Sequence, residues 1–397
     1  MRRPPRLPLR PRAALPTLAL LAAVGLALTG CAGVRPRADV SRAVAEVDAD
    51  ELMHSVETLC AFGPRPVGLE APTRNTLRWL RRTLEGLGYE VTEETFGWPR
   101  RAELFAVVNV PGSDEEIRLL QEDFHHFFSG APLGARAEAL REQGWEVRGF
   151  SGRAPETPEV HQLVNLIAEK RGTTPPGRVV EVSAHYDTVP GSPGADDDAS
   201  GCAALLEVAR VLADVPTQRT LRLCFFAAEE TGLDGSKVHV DAMLARAAAR
   251  EDGLVEVDAL INLDSVGFVN REPDSQDAPM RVPLVAWMPT TGDFLSVLGT
   301  WSTSWIGAEF LAVQETYVPE LRTFDAKRIA GFFSDARRSD HAWYWDAGIP
   351  AVFLTDTTEF RGAPYHLPTD VPEAIDREFL RQVTQATLAA TMHLLDR

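Results

Sequence analysis

Cysteine is scarce in this sequence, which has four among 397 residues: Cys31, Cys60, Cys202 and Cys224. No two of them are separated by just two residues, so neither a thioredoxin-like redox pair nor a zinc site built on paired thiolates is expected. Cys202 and Cys224 lie within apolar stretches. We expect them to be small buried hydrophobic residues rather than reactive thiols.

Positive charge is also in short supply, because 40 lysines and arginines face 57 acidic residues and the net charge is −17. The first 30 residues hold five arginines and no acid, so removing them lowers the net charge from −17 to −22. A field of this sign does not attract nucleic acid, and we expect no nucleic-acid partner. The 45% hydrophobic content is enough for a sizeable folded core.

Two motifs of phosphate and acyl chemistry are missing. Gly191, Gly194 and Gly201 are not accompanied by the lysine and Ser/Thr of a phosphate-binding loop. Ser200 does not lie in the Gly-x-Ser-x-Gly pattern of a nucleophile elbow. We therefore expect neither kind of site at these positions.

No hydrophobic run in the N-terminal region is long enough for a permanent membrane span, because the run at 18–28 falls short of roughly 20 residues. It follows a basic segment and ends in Leu28-Thr29-Gly30-Cys31, which resembles a bacterial lipobox. We therefore expect residues 1–30 to be a lipoprotein signal peptide. Residues 31–40 would be a tether, attached to the cell envelope through a lipid on Cys31.

An ordinary secretory signal followed by a chance cysteine is the alternative interpretation of this segment. Ala32, and not an acid, follows Cys31. In a Gram-negative host this residue would favour an outer-membrane or periplasmic location.

From residue 161 onward, strand and helix patterns alternate along the chain. The apolar runs at 179–184, 220–227 and 257–263 predict buried strands, and 375–395 predicts a closing helix. The apolar stretch at 294–305 also predicts a helix. The alternation indicates an α/β fold with a mixed, largely parallel central sheet and helices on both faces.

The residues before this region are less regular, although we expect a single domain over 41–397. Its first helix is predicted at 41–59, with Ser41 as a possible N-cap. The pattern changes over 112–158, which we interpret as an insertion or surface subdomain. Within it, 115–128 is charged and has helical spacing.

Acidic and imidazole side chains follow three of the predicted strands directly. His185 comes after the first, Glu229-Glu230 after the second and Asp264 after the third. The carboxyl ends of strands in an open α/β sheet line the ligand crevice. Three consecutive aspartates, Asp196–Asp198, stand between the first strand and the next helix. The sequence therefore predicts a cation site at this edge of the sheet.

The ligand types indicate which metal this site would hold. Imidazole with carboxylates and no thiolate suits zinc or a neighbouring divalent ion, whereas oxygen ligands alone would suggest magnesium or calcium. The acids outnumber what one open zinc site needs, so a two-metal site is expected. Asp187, two residues after His185, is well placed to accept the other imidazole N–H.

Taken together, these segments resemble metallopeptidase family 28, the co-catalytic dizinc aminopeptidases and their carboxypeptidase relatives. The resemblance implies a zinc-exopeptidase fold of the phosphorylase/hydrolase-like type. It extends over about residues 160–397 and rests on six segments in family order: His-Tyr-Asp (185–187), Pro-Gly-Ala-Asp-Asp-Asp-Ala-Ser-Gly (193–201), Ala-Ala-Glu-Glu-Thr-Gly-Leu-Asp-Gly-Ser (227–236), Asn-Leu-Asp (262–264), Ser-Asp-His (339–341) and Tyr-His-Leu-Pro-Thr-Asp (365–370).

The resemblance implies two Zn2+ ions per chain, with Asp197 bridging them and a non-proline cis peptide bond after it. It also implies that Glu229 is the general base, which takes a proton from a zinc-bound water and passes it to the leaving amine. The complete set of implied metal ligands is His185, Asp197, Glu230, Asp264 and His366.

The group that stabilises the transition state is less clearly implied. Some family members have a tyrosine three residues before Ser-Asp-His, but this chain has Ala336 there. Others have a tyrosine directly before the last histidine ligand, and Tyr365 matches that version. Tyr365 is thus a candidate donor to the carbonyl oxygen, with a packing role as the alternative. His341 is interpreted as structural or as a residue that supports a metal ligand from behind.

The function implied is an aminopeptidase that hydrolyses N-terminal residues from peptides. A carboxypeptidase or N-acyl amidohydrolase of the same fold would need a cationic pocket, and four cations precede His341. A glutaminyl-cyclase-like transferase is disfavoured because the Asp-Asp-Asp-Ala-Ser-Gly and Glu-Glu segments are complete. A catalytically inactive binding lipoprotein would be expected to lack a ligand, yet every ligand position is filled. The four cations are Arg322, Lys327, Arg337 and Arg338.

Overall fold

The computed structural model describes most of the chain beyond the N-terminal region. The described residues are 34–99, 103–109, 116–121, 146–153, 160–174, 177–249, 256–277, 288–328 and 330–397. The predicted signal segment 1–30 and its lipobox cysteine, Cys31, lie outside them. No helix among the described residues is both long and apolar enough to cross a membrane.

Eleven strands among the described residues form two sheets. In chain order they are β1 (Glu90–Pro99), β2 (Glu103–Asn109), β3 (Glu116–Gln121), β4 (Glu146–Arg153), β5 (Val160–Lys170), β6 (Arg178–His185), β7 (Thr220–Phe226), β8 (Glu256–Leu263), β9 (Leu295–Leu298), β10 (Thr323–Ala326) and β11 (Ala351–Thr355).

The central sheet has eight strands in the order β1-β5-β7-β6-β8-β11-β9-β10. Its four middle strands, β7, β6, β8 and β11, run parallel, whereas β1, β5 and β9 introduce antiparallel pairings. The mixed, largely parallel sheet predicted from the sequence is therefore confirmed. The strands β3, β2 and β4 form a separate antiparallel sheet.

Helices cover both faces of the central sheet. The strand β7 illustrates this, because Leu223 and Phe225 belong to one hydrophobic cluster whereas Cys224 and Phe226 belong to another. Cys202 and Cys224 are both buried, as expected. The helices are α1 (Ala38–Ala45), α2 (Ala49–Ala61), α3 (Glu70–Gly86), α4 (Gly201–Leu212), α5 (Asp234–Ala249), α6 (Ser304–Tyr317), α7 (His341–Asp346) and α8 (Arg377–Leu395).

The single helix predicted over 41–59 is wrong, because two helices, α1 and α2, occupy this region. Asp48 lies between them with an extended backbone, and its carboxylate accepts a hydrogen bond from the Asp50 N–H at 2.7 Å. An aspartate in this role starts a new helix. The apolar spacing continues across the break, which is why the periodicity alone did not reveal it.

Two further helix predictions are wrong, over 115–128 and 294–305. The described part of the first is the strand β3, which pairs with β2. In the second, Leu295–Leu298 is the strand β9, paired with β10 and β11, and a helix begins only at Ser304. Pairing with a distant strand decides the structure of such short segments, and local spacing does not report it. The boundaries of an insertion at 112–158 remain a prediction.

Candidate metal centre

The polar residues singled out in the sequence lie at the carboxyl edge of the parallel strands. His185 is the last residue of β6, Glu229 and Glu230 follow β7, and Asp264 is the first residue after β8. All of these side chains are buried. The predicted convergence of three strand ends therefore exists in the fold.

The three consecutive aspartates form one turn that leads into α4, and their two outer members hold it in place. The Asp196 carboxylate accepts a hydrogen bond from the Gly267 N–H at 2.8 Å. The Asp198 carboxylate accepts from the Gly201 N–H at 2.9 Å and the Ser265 N–H at 3.2 Å. These contacts orient the loop, and the peptide bond between Asp197 and Asp198 is cis, as the resemblance implied.

Asp370 is a further anchor of the same turn. Its carboxylate accepts hydrogen bonds from the Asp196 N–H at 2.8 Å and the Asp197 N–H at 3.2 Å. The side chain is completely buried. Asp370 ends the last segment of the family resemblance, but its residue type alone gave no indication of this contact.

Asp197, the middle aspartate, lies between two imidazole rings. Its Oδ1 is 3.0 Å from His185 Nε2, and its Oδ2 is 3.2 Å from His366 Nε2. The two oxygens of one carboxylate thus face two different histidines. This is the arrangement expected of a ligand that bridges two cations.

The remaining predicted ligands complete a group around each imidazole. Glu230 Oε2 lies 2.8 Å from His366 Nε2, and Asp264 Oδ1 lies 3.8 Å from His185 Nε2. Potential ligand atoms of Asp197, Glu230 and His366 all lie within 4.8 Å of one another. The same holds for His185, Asp264 and Glu229, whose Oε2 is 4.0 Å from His185 Nε2.

Asp187 joins the two strand ends, although not in the way expected. His185 Nδ1 lies 3.1 Å from the main-chain oxygen of Asp187 and 3.6 Å from its carboxylate, so the closer acceptor is the carbonyl. The carboxylate instead accepts hydrogen bonds from the N–H groups of Glu229, at 3.2 Å, and Glu230, at 3.3 Å. Asp187 therefore orients both the imidazole and the Glu229-Glu230 turn.

The buried carboxylates of the centre have unusual acidities. Burial raises the pKa of Glu230 to about 7, against the opposing effect of His366. Burial also raises the pKa of Glu229 well above its usual range, and the carboxylates of Asp264 and Glu230 add to the shift. Burial alone would do the same to Asp197, but His185 and His366 outweigh it and lower its pKa.

The residues of the centre fit a pair of metal cations. His185 Nε2 and Asp197 Oδ2 are buried and make no hydrogen bond of acceptable geometry to any described residue. No lysine or arginine of the described part of the chain forms an ion pair with Asp197, Glu230 or Asp264. Such a surplus of buried negative charge calls for cations. Two imidazoles with carboxylates are a donor set suited to zinc.

Tyr365 lies beside this centre. Its ring stacks on that of His366 with a centroid separation of 3.7 Å. Arg338 Nη2 donates a hydrogen bond to the Tyr365 hydroxyl oxygen at 3.0 Å, and Arg338 also pairs with Glu359. His341 lies away from the ligand groups: its Nε2 is 2.8 Å from the Ala336 carbonyl oxygen and its ring stacks on Phe353.

The four cations considered for a carboxylate-binding pocket are already paired with acids. Arg322 pairs with Asp293, Lys327 with Asp325 and Arg337 with Asp346. Arg338 pairs with Glu359 and alone among the four contacts the centre, through Tyr365. The charge of each of them is therefore already compensated by an acid of the folded chain.

A third group of potential ligands consists of Glu181 on β6, Cys224 on β7 and His239 on α5. Arg222 donates a hydrogen bond to the Glu181 carboxylate at 2.6 Å, and the Tyr344 hydroxyl donates to it at 2.7 Å. His239 Nε2 lies 3.3 Å from the same carboxylate. The charge of Glu181 is thus compensated by protein groups, so this group is a structural network.

Several residues that shape the centre were missed in the sequence. Asn165 is buried, accepts a hydrogen bond from the Ala227 N–H at 3.1 Å and donates to the Gly235 carbonyl at 2.9 Å, which holds the loop carrying Glu229. Asp340 lies in the Ser-Asp-His segment, but no role was predicted for it; it is completely buried, and burial raises its pKa to about 7. Arg65 donates a hydrogen bond to the main-chain oxygen of Tyr186, the residue after His185. Each acts through main-chain groups or burial, which leave no pattern in a sequence.

Comparison with known proteins identifies a family. The model of peptidase family M28 matches residues 165–391, more than half of the chain. Aminopeptidase YwaD of Bacillus subtilis is 34% identical over 224 residues, which cover 53% of this chain and 40% of that protein. The probable lipoprotein aminopeptidase LpqL of Mycobacterium tuberculosis is 27% identical over 280 residues, which cover 63% of this chain and 51% of that protein.

The chain therefore spans about half the length of these curated relatives, or less. Its fold is similar to that of BSAP, a zinc aminopeptidase from Bacillus subtilis, with a TM-score of 0.61 and 22% sequence identity. That match covers 88% of this chain and 96% of the other. The α/β architecture is thus shared along nearly the whole length of a solved structure.

Proposed function

Because the chain belongs to peptidase family M28, we propose that it is a zinc-dependent aminopeptidase that removes N-terminal residues from peptides. The observation that carries this proposal is the position of Asp197, whose two carboxylate oxygens face His185 and His366 at 3.0 and 3.2 Å. A bridging carboxylate between two imidazoles is what a two-metal hydrolytic site requires. The named relatives include an aminopeptidase and a probable lipoprotein aminopeptidase.

In this proposal the five ligands divide into two groups that share Asp197. His185 and Asp264 would hold one zinc ion, and Glu230 and His366 would hold the other. When bound, the two ions polarise the scissile carbonyl and make the attacking water more acidic. Asp187 fixes the position of the Glu229-Glu230 turn relative to the His185 ring, because it contacts both.

Glu229 is proposed as the group that moves the proton. Its carboxylate lies farther from His185 Nε2 than those of Asp197 and Asp264, at 4.0 Å against 3.0 and 3.8 Å. A buried carboxylate that is not one of the five ligands is suited to carry this proton. Glu229 takes a proton from the attacking water and delivers it to the nitrogen of the leaving amine.

Tyr365 is proposed to donate a hydrogen bond to the substrate carbonyl oxygen as negative charge develops there. Its stacking on His366 places the ring at the edge of the ligand group. Arg338 donates to the phenol oxygen, so the phenol hydrogen is not used in that contact. Arg338 and its partner Glu359 thereby orient Tyr365.

Two observations favour an aminopeptidase over a carboxypeptidase. Each of the four cations that precede His341 is paired with an acid, so none has an uncompensated charge that would favour a substrate carboxylate; they are Arg322, Lys327, Arg337 and Arg338. The centre also presents buried acids, which suit a substrate ammonium group. Glu229 and Asp264 are the candidate partners for that ammonium.

The test combines metal analysis with a matched panel of substrates. Purified protein should contain two zinc ions per chain and hydrolyse peptides with a free amino terminus. The same peptides with an acetylated amino terminus should not be cleaved, whereas amidation of the carboxyl terminus should have little effect. Cleavage of acetylated peptides from the carboxyl end would contradict the aminopeptidase assignment.

We also propose that the chain is exported and anchored to the cell envelope by a lipid on Cys31. The lipobox-like end of the segment 18–31 supports this, as does the similarity to a probable lipoprotein aminopeptidase. In a bacterial host, the full chain should fractionate with membranes and Cys31→Ser should not. Cys60→Ser is the matched control and should behave as the original chain. A Cys31→Ser protein that stays with the membranes would contradict the anchor.

A further inference from the structure

Arg65 is an arginine buried in the interior of the described structure. Its exposed fraction is only 1%, and no carboxylate of the described residues forms an ion pair with it. It lies between α2 and α3, in the N-terminal part of the chain that precedes the family match at 165–391. A buried guanidinium is costly unless its donors are satisfied, so its contacts show what keeps it there.

The partners of Arg65 are main-chain carbonyl oxygens on two sides. Its Nη1 donates to the Leu59 oxygen at 3.0 Å and the Gly63 oxygen at 3.2 Å, at the end of α2. On the other side, its Nε donates to the Tyr186 oxygen at 2.7 Å, and Nη1 to the Pro193 oxygen at 3.0 Å.

These two carbonyls belong to the two ends of one loop. Tyr186 follows the predicted ligand His185 directly, and Pro193 stands four residues before the predicted bridging ligand Asp197. Arg65 therefore joins the beginning and the end of the segment that separates two ligands. Its own main-chain N–H donates to the Thr188 hydroxyl oxygen at 2.9 Å, within the same loop.

The loop between His185 and Asp197 packs closely against Arg65. A Cβ atom at Gly194 would lie 3.2 Å from Arg65 Nη2 and 2.4 Å from the main-chain oxygen of Asp197. Gly194 also has a positive φ of 66°, which favours glycine. The backbone thus passes between the guanidinium and the aspartate turn, so that movement of Arg65 would be transmitted to Asp197.

We propose that Arg65 is a positioning residue of the metal centre, which sets the spacing between His185 and Asp197 by holding both ends of the loop between them. This inference rests on the proposed two-zinc site. It assigns to the N-terminal segment a role in metal binding that lies outside the family-matched region. Arg65 does not contact the ligand atoms, so its effect is on the shape of the site.

The experiment compares Arg65→Met and Arg65→Lys with Arg219→Met. Arg219 is a control at the amino end of β7: it also donates to main-chain carbonyls, those of Leu394 at 3.0 Å and Arg397 at 2.6 Å, and in addition pairs with Asp258. Zinc affinity is measured by competition with a chelator of known affinity, and kcat and KM are measured at saturating zinc. Circular dichroism reports whether each variant is folded.

We expect Arg65→Met to bind zinc about 10- to 100-fold more weakly, as for other residues that orient metal ligands indirectly. At saturating zinc its kcat should fall while its KM stays within about twofold of the original, because the substrate contacts are intact. The zinc affinity of Arg65→Lys should lie between those of the original chain and Arg65→Met, because one ammonium nitrogen replaces the two guanidinium nitrogens that bind the two ends of the loop. Arg219→Met should lose stability without losing zinc affinity.

A folded Arg65→Met protein with the original zinc affinity would overturn the inference, and so would an equal loss of affinity in Arg219→Met. If Arg65→Met does not fold, Arg65→Lys decides, and original zinc affinity in that variant overturns the inference. Failure of the original chain to bind zinc would instead refute the proposed function. The two failures are therefore distinguishable.

Discussion

Asp197 differs from its two neighbours in what faces its carboxylate. Two imidazoles lie against it and lower its pKa despite burial. Asp196 and Asp198 are equally buried, but their pKa values are raised, by burial and by nearby carboxylates such as Asp356 and Asp264. Three identical residues in a row thus receive different roles from the fold. Only the middle one is shaped as a ligand.

At the same scale, Glu229→Gln should separate proton transfer from metal binding. We expect it to retain two zinc ions per chain and to lose about 10²- to 10⁴-fold in kcat, because an amide cannot accept the proton. Glu230→Gln, next in the chain, should lose zinc instead, since its carboxylate lies 2.8 Å from His366. Zinc analysis and kcat measurements on both variants check this. Unchanged turnover in Glu229→Gln would remove Glu229 as the base.

Tyr365→Phe tests the proposed donor to the carbonyl oxygen. The phenyl ring keeps the stacking on His366, so zinc content should not change. Loss of the hydroxyl should lower kcat by about 10²-fold, which is typical of removing one oxyanion donor. Tyr317→Phe is the control, because its hydroxyl accepts from the Arg37 N–H far from the centre. If both variants have the original kcat, Tyr365 is a packing residue.

At the scale of elements, the strand β6 carries polar side chains on one face. Glu181, Ser183 and His185 alternate along it and therefore point the same way. Ser183 donates a hydrogen bond to Asn262 at 2.6 Å, which links this face to β8. The predicted metal ligand His185, at the end of the strand, thus belongs to a row of buried polar side chains. The charge of Glu181 in that row is compensated by His239 of α5 and Arg222 of β7.

The network around Glu181 predicts a pH dependence of stability. Burial alone would lower the pKa of His239, but Glu181 and Glu94 outweigh it and raise it from 6.5 to about 9. The folded state then binds a proton more tightly than the unfolded state. The stabilisation is complete below about pH 6.5 and is lost as pH rises through about 9.

Accordingly, His239→Gln should lower the free energy of unfolding at pH 6 by about 3 kcal/mol, since it leaves a buried carboxylate without one partner. The difference from the original chain should shrink above pH 9. Urea unfolding at pH 6, 8 and 10 measures both effects. His54→Gln, at an exposed position, is the control and should have little effect at any pH. A constant difference from pH 6 to 10 would contradict a charged His239.

The elements also show how far sequence reasoning reaches. The strand ends that carry His185, Glu229 and Asp264 were predictable, because a buried parallel strand is a continuous apolar run and its polar successor stands out. The strand β9 and the break between α1 and α2 were not, since a distant partner and a capping aspartate decide them. Arg65 was invisible because its partners are carbonyl oxygens, which every residue has.

At the scale of the whole molecule, the N-terminal helices complete the core of the family-matched region. Leu52, Val56 and Leu59 of α2 belong to the same hydrophobic cluster as the central strands and α8. The Asp48 N–H donates to Glu207 of α4 at 2.6 Å, and Gln385 of α8 donates to the Val44 carbonyl at 2.8 Å. The helices α1 and α2 are thus integral to the fold and not an appendage.

Removal of zinc should destabilise the entire molecule, because it leaves a cluster of buried acids without cations. Binding of a ligand only to the folded state contributes about 4 kcal/mol at a concentration 1,000 times its dissociation constant. A chelator should therefore lower the melting temperature, and added zinc should restore it. Differential scanning calorimetry with and without chelator measures the change.

The effect should depend on pH with a definite sign. In the metal-free chain, burial raises the pKa of Glu230 to about 7 and that of Asp370 to about 8. The folded state then binds more protons than the unfolded state between about pH 4 and 8, so metal-free stability falls as pH rises through this range. The gap in melting temperature between zinc-bound and metal-free protein should thus be wider at pH 8 than at pH 6.

Glu230→Gln supplies the internal control for this whole-molecule effect, because it removes one of the acids that must be deprotonated. Its metal-free form should lose less stability between pH 6 and 8 than the metal-free original chain. An equal loss in both would mean that the pH dependence arises elsewhere. Glu230 lies beside His366, and Asp370 binds the turn that carries Asp197, so both acids belong to the metal centre. An equal loss would therefore mean that the charge of the metal centre does not determine how the stability of the fold depends on pH.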